Sequence, residues 1–273
     1  MRAGYRRIIS ARSTTRRPCR PGTEHDLATW VLLRGLVRES RHWGDFVPAL
    51  AQSVPQSRLV ALDLPGNGAL HLQRSPSRIN GMVEACRARL QSQHLSPPYH
   101  LCAVSMGAMV AVQWAHRYPQ EVAGQVLINT SMRPFSPVYQ RLQMRNWPTL
   151  LRLVLGASPL QWEAAVLRMT TAQPHPEVLV HWVRWRASYP VSRLNAVRQL
   201  LAAACFSAPA LAPQVPTLLL ASSQDQLVSV HCSQALAQAW QLPLQQHPSA
   251  GHDLTLDDPQ WVVEAVRAWM ARI

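Results

Sequence analysis

The sequence predicts an α/β fold, in which buried strands alternate along the chain with the helices that cover them. Apolar runs of strand length, bounded by Gly, Pro, Asp and Ser, alternate with longer segments of helical periodicity. One such run, 101–104, turns sharply at Ser105 and continues as an apolar helix, which is the strand–turn–helix order of an α/β unit. At 273 residues, the chain is long enough for one large domain with an insertion.

The predicted elements follow one another through short connections. Apolar runs predict strands at 27–33, 58–62, 99–104, 122–128, 217–221 and 244–247. Helical patterns run through Leu50, cover 77–93, follow Ser105 and begin near Val230, and Asp257-Asp258-Pro259 opens a final amphipathic helix. From 132 to 206 the strand pattern disappears, and helical runs punctuated by prolines replace it.

Ser105 lies in an Ala-x-Ser-x-Gly pattern formed with Ala103 and Gly107. A serine on a tight strand-to-helix turn has the geometry of a nucleophile elbow, which presents the hydroxyl clear of the backbone. The next amide, that of Met106, begins a helix, where negative charge is favoured. Small residues are needed on both sides because the backbones crowd there, and Ala103 stands where glycine is usual. The pattern predicts that Ser105 is a nucleophile.

With this motif, the chain resembles the α/β-hydrolases over roughly residues 27–273. The resemblance implies a mostly parallel sheet flanked by helices, with a helical cap inserted after the strand that follows the nucleophile helix. We therefore expect a hydrolase core at 27–131 and 207–273 and a cap at 132–206. Residues 1–26, which are rich in Arg, Ser, Thr and Pro, are expected to form a disordered leader.

The resemblance also implies a catalytic triad, because Ser105, Asp225 and His252 occur in the Ser–acid–His chain order of the family. His252 would take the hydroxyl proton of Ser105, and Asp225, just past a predicted strand, would orient the imidazole. The backbone amides of Leu36 and Met106 are the expected donors of the oxyanion hole.

Other residues compete for these roles. Asp253 is a rival acid by adjacency, although neighbours in sequence rarely orient one ring well, and His247 is a rival base within a predicted strand. Asp63 lies in an Asp-x-Pro-Gly-x-Gly segment, where a structural role in holding the loop is favoured. Arg34-Gly35 stands where the family usually has His-Gly, a departure that still leaves the backbone donors available.

The resemblance implies hydrolysis of a small-molecule carboxylic ester through an acyl-enzyme, with neither a metal nor a cofactor. A serine nucleophile argues against the dehalogenase and epoxide-hydrolase branches, which use aspartate. Carbon–carbon bond hydrolysis and perhydrolysis use the same triad. A non-catalytic binding protein built on the same scaffold is an alternative of a different class.

Positive charge is concentrated in two segments of a chain whose net charge is +13 and whose basic residues are all arginine. Residues 1–20, within the leader, hold seven arginines and no acid, and residues 132–206 hold nine arginines against two acids. Some small capped esterases, which this chain resembles, dock an acidic carrier protein on cap arginines. Arg141, Arg145 and Arg152 would present such a surface if one helix carried all three. Nucleic acid is disfavoured because the tail lacks interleaved aromatic residues.

The cysteine pattern and the lengths of the apolar runs indicate the cellular compartment. Five scattered cysteines show neither metal-site nor disulfide spacing, which suits a reducing compartment. No run approaches 18 uninterrupted apolar residues, so stable membrane insertion is not expected. These features predict a cytoplasmic protein.

Overall fold

Six parallel strands form one sheet in the order β2–β1–β3–β4–β5–β6. The computed structural model describes residues 27–273, and the predicted leader at 1–26 lies outside the described residues. The strands are β1 Ala28–Leu33, β2 Ser57–Leu62, β3 Tyr99–Val104, β4 Val122–Ile128, β5 Thr217–Ser222 and β6 Leu244–His247. The predicted parallel sheet is therefore confirmed.

Helices cover both faces of this sheet. The α-helices before β5 are α1 Phe46–Ser53, α2 Ile79–Ser92, α3 Met106–Arg117, α4 Val138–Arg141, α5 Trp147–Gly156, α6 Pro159–Thr170, α7 Pro176–Ser188 and α8 Arg193–Cys205. Those after it are α9 Val230–Trp240, α10 Leu254–Asp257 and α11 Pro259–Met270. Within residues 27–273, none combines the length and the apolar character that crossing a bilayer requires.

The central strands are buried on both faces because alternate side chains enter two separate cores. Val31 and Leu101 pack on the side covered by α2, α3 and α9. Trp30, Leu32 and Cys102 pack on the opposite side, against α1 and α11. Burial on both faces explains why these strands are continuous apolar runs in the sequence.

The segment between β4 and β5, residues 132–206, carries α4 to α8 and is called the helical insertion below. Prolines stand in the first turns of α5, α6 and α7, where a missing amide hydrogen costs little. Leu153, Trp162 and Ala196 of the insertion form a small apolar cluster with Val37, which follows β1. The assignment of residues 132–206 as a separate cap stays a prediction.

The expectation that one helix face presents Arg141, Arg145 and Arg152 is wrong. The first helix, α4, ends at Arg141 because Leu142 is extended, with φ −143° and ψ 104°. Arg145 lies in a 3₁₀ turn, and Pro148 stands in the first turn of α5 instead of interrupting a longer helix. Arg141 is also buried, and its guanidinium donates to the carbonyls of Ala203 and Ala204 at the end of α8.

Candidate active site

The predicted site residues all lie at the edge of the sheet where the strands end. Ser105 follows β3, Leu36 lies in the loop after β1, Asp225 follows β5, and His252 lies in the loop after β6. The carboxyl ends of parallel strands meet at one edge, which is where α/β sheets place their ligand sites. The topology therefore gathers side chains that are far apart in sequence.

Ser105 occupies a strained turn between β3 and α3. Its φ of 56° and ψ of −118° are costly for a residue with a Cβ, and such strain clusters at functional sites. The surrounding structure holds the turn, since the amide of Ser105 donates to the carbonyl of Ile128 at 2.9 Å. The hydroxyl of Thr130 donates to the carbonyl of Ser105 at 3.1 Å. This half-buried serine has the backbone geometry that the elbow pattern predicts.

Gly107 and Gly35 explain how closely the loop after β1 approaches the elbow. A Cβ on Gly107 would lie 2.3 Å from the carbonyl oxygen of Leu33 and 2.8 Å from that of Arg34. A Cβ on Gly35 would lie 3.1 Å from the Cβ of Ser105. Leu36 directly follows Gly35, and Met106 directly follows Ser105. The backbone amides of both residues are therefore near Ser105. Their roles as oxyanion donors stay predictions.

Replacing Gly107 with alanine is expected to displace the elbow. The added Cβ meets backbone atoms of a fully buried central strand, so the chain must shift, at a cost of roughly 1–3 kcal/mol. We expect Tm to fall by several degrees and the expected ester hydrolysis to fall with it, measured by thermal denaturation and steady-state kinetics. The matched control is Gly156→Ala, whose Cβ would have its nearest contact at 3.7 Å. A Gly107→Ala variant with wild-type Tm and activity would show that the elbow is not crowded.

Asp225 and His252 are joined by a short hydrogen bond. The Nδ1 atom of His252 lies 2.7 Å from Oδ2 of Asp225, and both residues are buried. The other carboxylate oxygen of Asp225 accepts from the amides of Leu227 at 2.8 Å and Val228 at 2.9 Å. A carboxylate fixed in this way orients the imidazole with its proton on Nδ1 and leaves Nε2 able to accept a proton.

Ser105 and His252 make no hydrogen bond to each other within residues 27–273, and the segment after β4 connects their loops instead. Asn129 donates through Nδ2 to the carbonyls of Gly251 at 3.2 Å and His252 at 2.8 Å. Its neighbours Ile128 and Thr130 bind the backbone of Ser105, as described above. Hydrogen bonds from nucleophile to base are often long in free enzymes and tighten in the substrate complex.

Asn129 and Thr130 are the site residues that sequence reasoning missed. Both side chains are buried, and Asn129 has a φ of 46°. A local feature of the sequence could have identified them: a run of polar residues, Asn129 to Ser131, directly follows the buried strand β4. Polar residues at the carboxyl end of a parallel strand are the ones that meet at a site.

The rival residues have structural partners. The carboxylate of Asp63 accepts from the amides of Ser40 and Ala69, as the loop-holding interpretation requires. His247 accepts from the amide of Ala250 at 2.8 Å and faces Asp258. Within residues 27–273, Asp253 binds Arg34 and makes no hydrogen bond to the imidazole of His252.

The helical insertion is fastened to the loops on both sides of the site. Arg38, after β1, forms a 2.6 Å ion pair with Glu163 of α6, and both side chains are buried. The amide of Val37 donates to Oε1 of Gln199 in α8 at 2.9 Å. On the other side, the amide of Asp253 donates to the carbonyl of Thr170 at 2.6 Å. The insertion therefore contacts the segments that carry Leu36 and His252.

His42 is a third histidine near these loops. Burial lowers the pKa of His42 well below its ordinary value, and the nearby charges of Arg38 and Arg34 lower it further. Its Nε2 lies 2.9 Å from Nη1 of Arg38, so a neutral ring accepts that hydrogen. These contacts give His42 a structural place beside the Arg38–Glu163 ion pair.

Comparison with known proteins agrees with the observed fold. A model of the alpha/beta hydrolase family matches residues 30–265. A pimeloyl-[acyl-carrier protein] methyl ester esterase of Xylella fastidiosa is 24% identical over 259 residues, covering 89% of this chain and 95% of that protein. An enol-lactonase from Burkholderia xenovorans superposes with a TM-score of 0.75 at 18% identity, covering 92% of this chain and 94% of its own. A thermophilic esterase from Thermogutta terrifontis gives 0.72 at 22% identity, covering 90% of each chain.

Proposed function

The chain belongs to the alpha/beta hydrolase family, and we propose that it hydrolyses a carboxylic ester through Ser105, His252 and Asp225. The observation that carries this proposal is the 2.7 Å hydrogen bond between His252 and Asp225, beside a serine in elbow geometry. The esterases among its relatives support the choice of an ester.

The proposed reaction has two halves. Oγ of Ser105 attacks the ester carbonyl carbon while Nε2 of His252 takes the hydroxyl proton. The amides of Leu36 and Met106 stabilise the negative oxygen of the tetrahedral intermediate. When the intermediate collapses, His252 returns the proton to the departing alcohol, and the acyl group stays on Ser105. Water, activated by His252 in the same way, then releases the carboxylic acid.

Asp225 supports both halves without accepting a proton. Its carboxylate holds the proton of His252 on Nδ1 and stabilises the imidazolium that forms when Nε2 is protonated. The amides of Leu227 and Val228 keep the carboxylate in place while the charge on the ring changes.

A panel of p-nitrophenyl esters from acetate to palmitate tests the proposal directly. We expect hydrolysis of at least one chain length, and labelling of Ser105 by a fluorophosphonate, located by peptide mass spectrometry. If neither occurs, the proposed function is wrong. Cleavage of a diketone or perhydrolysis with no ester hydrolysis would instead favour the alternatives that use the same triad.

We also propose that the helical insertion acts as a cap and receives an acidic carrier protein bearing the ester. The Xylella relative is named for an ester on an acyl-carrier protein. Arg145 and Arg152 are the arginines of the predicted set whose side chains are exposed, whereas Arg141 is buried and is not part of this surface. A carrier protein would meet the two exposed arginines, and its ester would reach Ser105 beneath the insertion.

Reversing both charges should weaken the reaction with carrier-bound substrate. For Arg145→Glu with Arg152→Glu, we expect KM for an acyl-carrier-protein ester to rise about tenfold, because complementary charge becomes repulsive. Added salt should weaken the wild-type reaction by screening. Hydrolysis of p-nitrophenyl butyrate should stay unchanged.

The matched control reverses two exposed arginines outside the insertion, Arg89 in α2 and Arg267 in α11. This variant has the same net charge, so an equal rise in KM would assign the effect to overall charge. Wild-type KM in the Arg145 and Arg152 variant would contradict docking at this surface.

A further inference from the structure

Arg34 and Asp253 form a buried, two-pronged ion pair between residues 219 positions apart. Nη1 of Arg34 donates to Oδ1 of Asp253 at 3.0 Å, and Nη2 donates to Oδ2 at 2.5 Å. Each side chain is only 4% exposed. Nη1 also donates to the hydroxyl of Thr255, and that hydroxyl donates to Asp253. The guanidinium lies 5.0 Å from the ring centroid of Trp43.

The pair connects the two loops that the proposed reaction must hold together. Arg34 is two residues before Leu36, and Asp253 directly follows His252. The strands that precede these loops, β1 and β6, are separated in the sheet by β3, β4 and β5. Sheet hydrogen bonding therefore fixes the spacing of the two loops only through three intervening strands, while the ion pair joins them directly.

We propose that Arg34 and Asp253 are positioning residues, whose ion pair sets the placement of His252 relative to the Leu36 amide. This inference rests on the proposed ester hydrolysis. A planar guanidinium bound at two points fixes orientation as well as distance. General base and oxyanion donors must be aligned closely, because a displacement of about 1 Å can lower the rate about 100-fold.

The burial and the charges of Arg34 and Asp253 are consistent with a permanent contact between the two loops. Burial raises the pKa of the Asp253 carboxyl, but the charge and hydrogen bonds of Arg34, with the hydroxyl of Thr255, outweigh it and hold that pKa below its ordinary value. The Asp253 carboxyl is therefore ionised at neutral pH. A buried ion pair is a poor source of net stability, because removing two charges from water offsets much of their attraction. For this pair, the contribution that we propose is therefore geometric: it fixes the position of one loop against the other.

The test separates positioning from stability by removing one charge or both. Arg34→Gln and Asp253→Asn each leave a buried charge without its partner, so both single variants should lose Tm and activity together. The double variant leaves no unpaired charge, so its Tm should recover toward the wild-type value. We expect its kcat for the best p-nitrophenyl ester to stay at least tenfold below the wild-type value, with KM within twofold of wild type.

A second readout reports on the transition state. An arylboronic acid forms a tetrahedral adduct with an active-site serine, so its Ki should rise in the double variant in parallel with the fall in kcat. Arg34→Lys keeps the charge but loses the two-pronged contact, and should show lowered kcat with Tm near the wild-type value. Wild-type kcat in the double variant or in Arg34→Lys would overturn the inference. A double variant that does not fold leaves Arg34→Lys as the deciding variant.

The control pair is Arg87 and Glu121, another two-pronged contact, with distances of 2.9 and 2.7 Å. It joins α2 to the turn before β4 and touches neither loop of the site. Arg87→Gln with Glu121→Gln should leave kcat within twofold of wild type. Failure of the proposed function looks different from failure of this inference. If the wild-type protein neither hydrolyses an ester nor reacts with a fluorophosphonate, the proposed function is wrong. If the wild-type protein is active and the Arg34 and Asp253 double variant is equally active, the positioning role is wrong.

Discussion

Ser105→Ala should lower kcat/KM for the preferred ester by roughly 10³-fold or more, because it removes the atom proposed to form the acyl-enzyme. The fold should be unaffected, since within residues 27–273 only the backbone of Ser105 forms hydrogen bonds. Tm should therefore stay at the wild-type value. The measurement is steady-state hydrolysis, together with the loss of fluorophosphonate labelling.

Combining this change with His252→Ala tests whether the residues act as one unit. His252→Ala alone should cost about as much, and the double variant should lose little more, because catalytic residues that act together are strongly non-additive. Ser77→Ala, at an exposed serine outside the site, is the control. Appreciable ester hydrolysis by purified Ser105→Ala would remove Ser105 from the mechanism.

The strands were predictable because a strand that is buried on both faces is a continuous apolar run in the sequence. The predicted limits of β4 match the structure at both ends, Val122 and Ile128, since that apolar run is bounded by Glu121 and Asn129. The elbow was predictable for a related reason. A strand, a turn of small residues and an apolar helix occur in one continuous stretch, so local pattern contains the whole motif.

Contacts between distant segments were not predictable in the same way. Arg34 was recognisable as a departure from the usual histidine, but nothing near it in sequence identifies Asp253 as its partner. Arg141 shows the opposite error, since spacing of four and seven predicts a shared helix face only if the helix is continuous. The extended backbone at Leu142 breaks that continuity, and the end of α8 then buries Arg141. Both outcomes depend on tertiary packing.

Asp225→Asn should separate the proposed triad acid from its neighbour Asp253. Oδ1 of Asp225 accepts from two backbone amides, and the oxygen of an asparagine would keep those bonds. The Nδ2 group would then face Nδ1 of His252 in place of the present acceptor. An amide NH₂ donates, so Nδ1 would have to accept, and the ring proton would move to Nε2.

That tautomer leaves Nε2 unable to take the proton of Ser105, so kcat should fall about 10³- to 10⁴-fold with little change in KM or Tm. Steady-state kinetics and thermal denaturation on the same preparation measure the three quantities. Asp253→Asn should act differently, because it unpairs Arg34 and lowers Tm as well as activity. If Asp225→Asn kept activity within tenfold of wild type, Asp225 would not be orienting the base. The loss should be confined to kcat because the substitution leaves the loop, the substrate surface and the nucleophile unchanged.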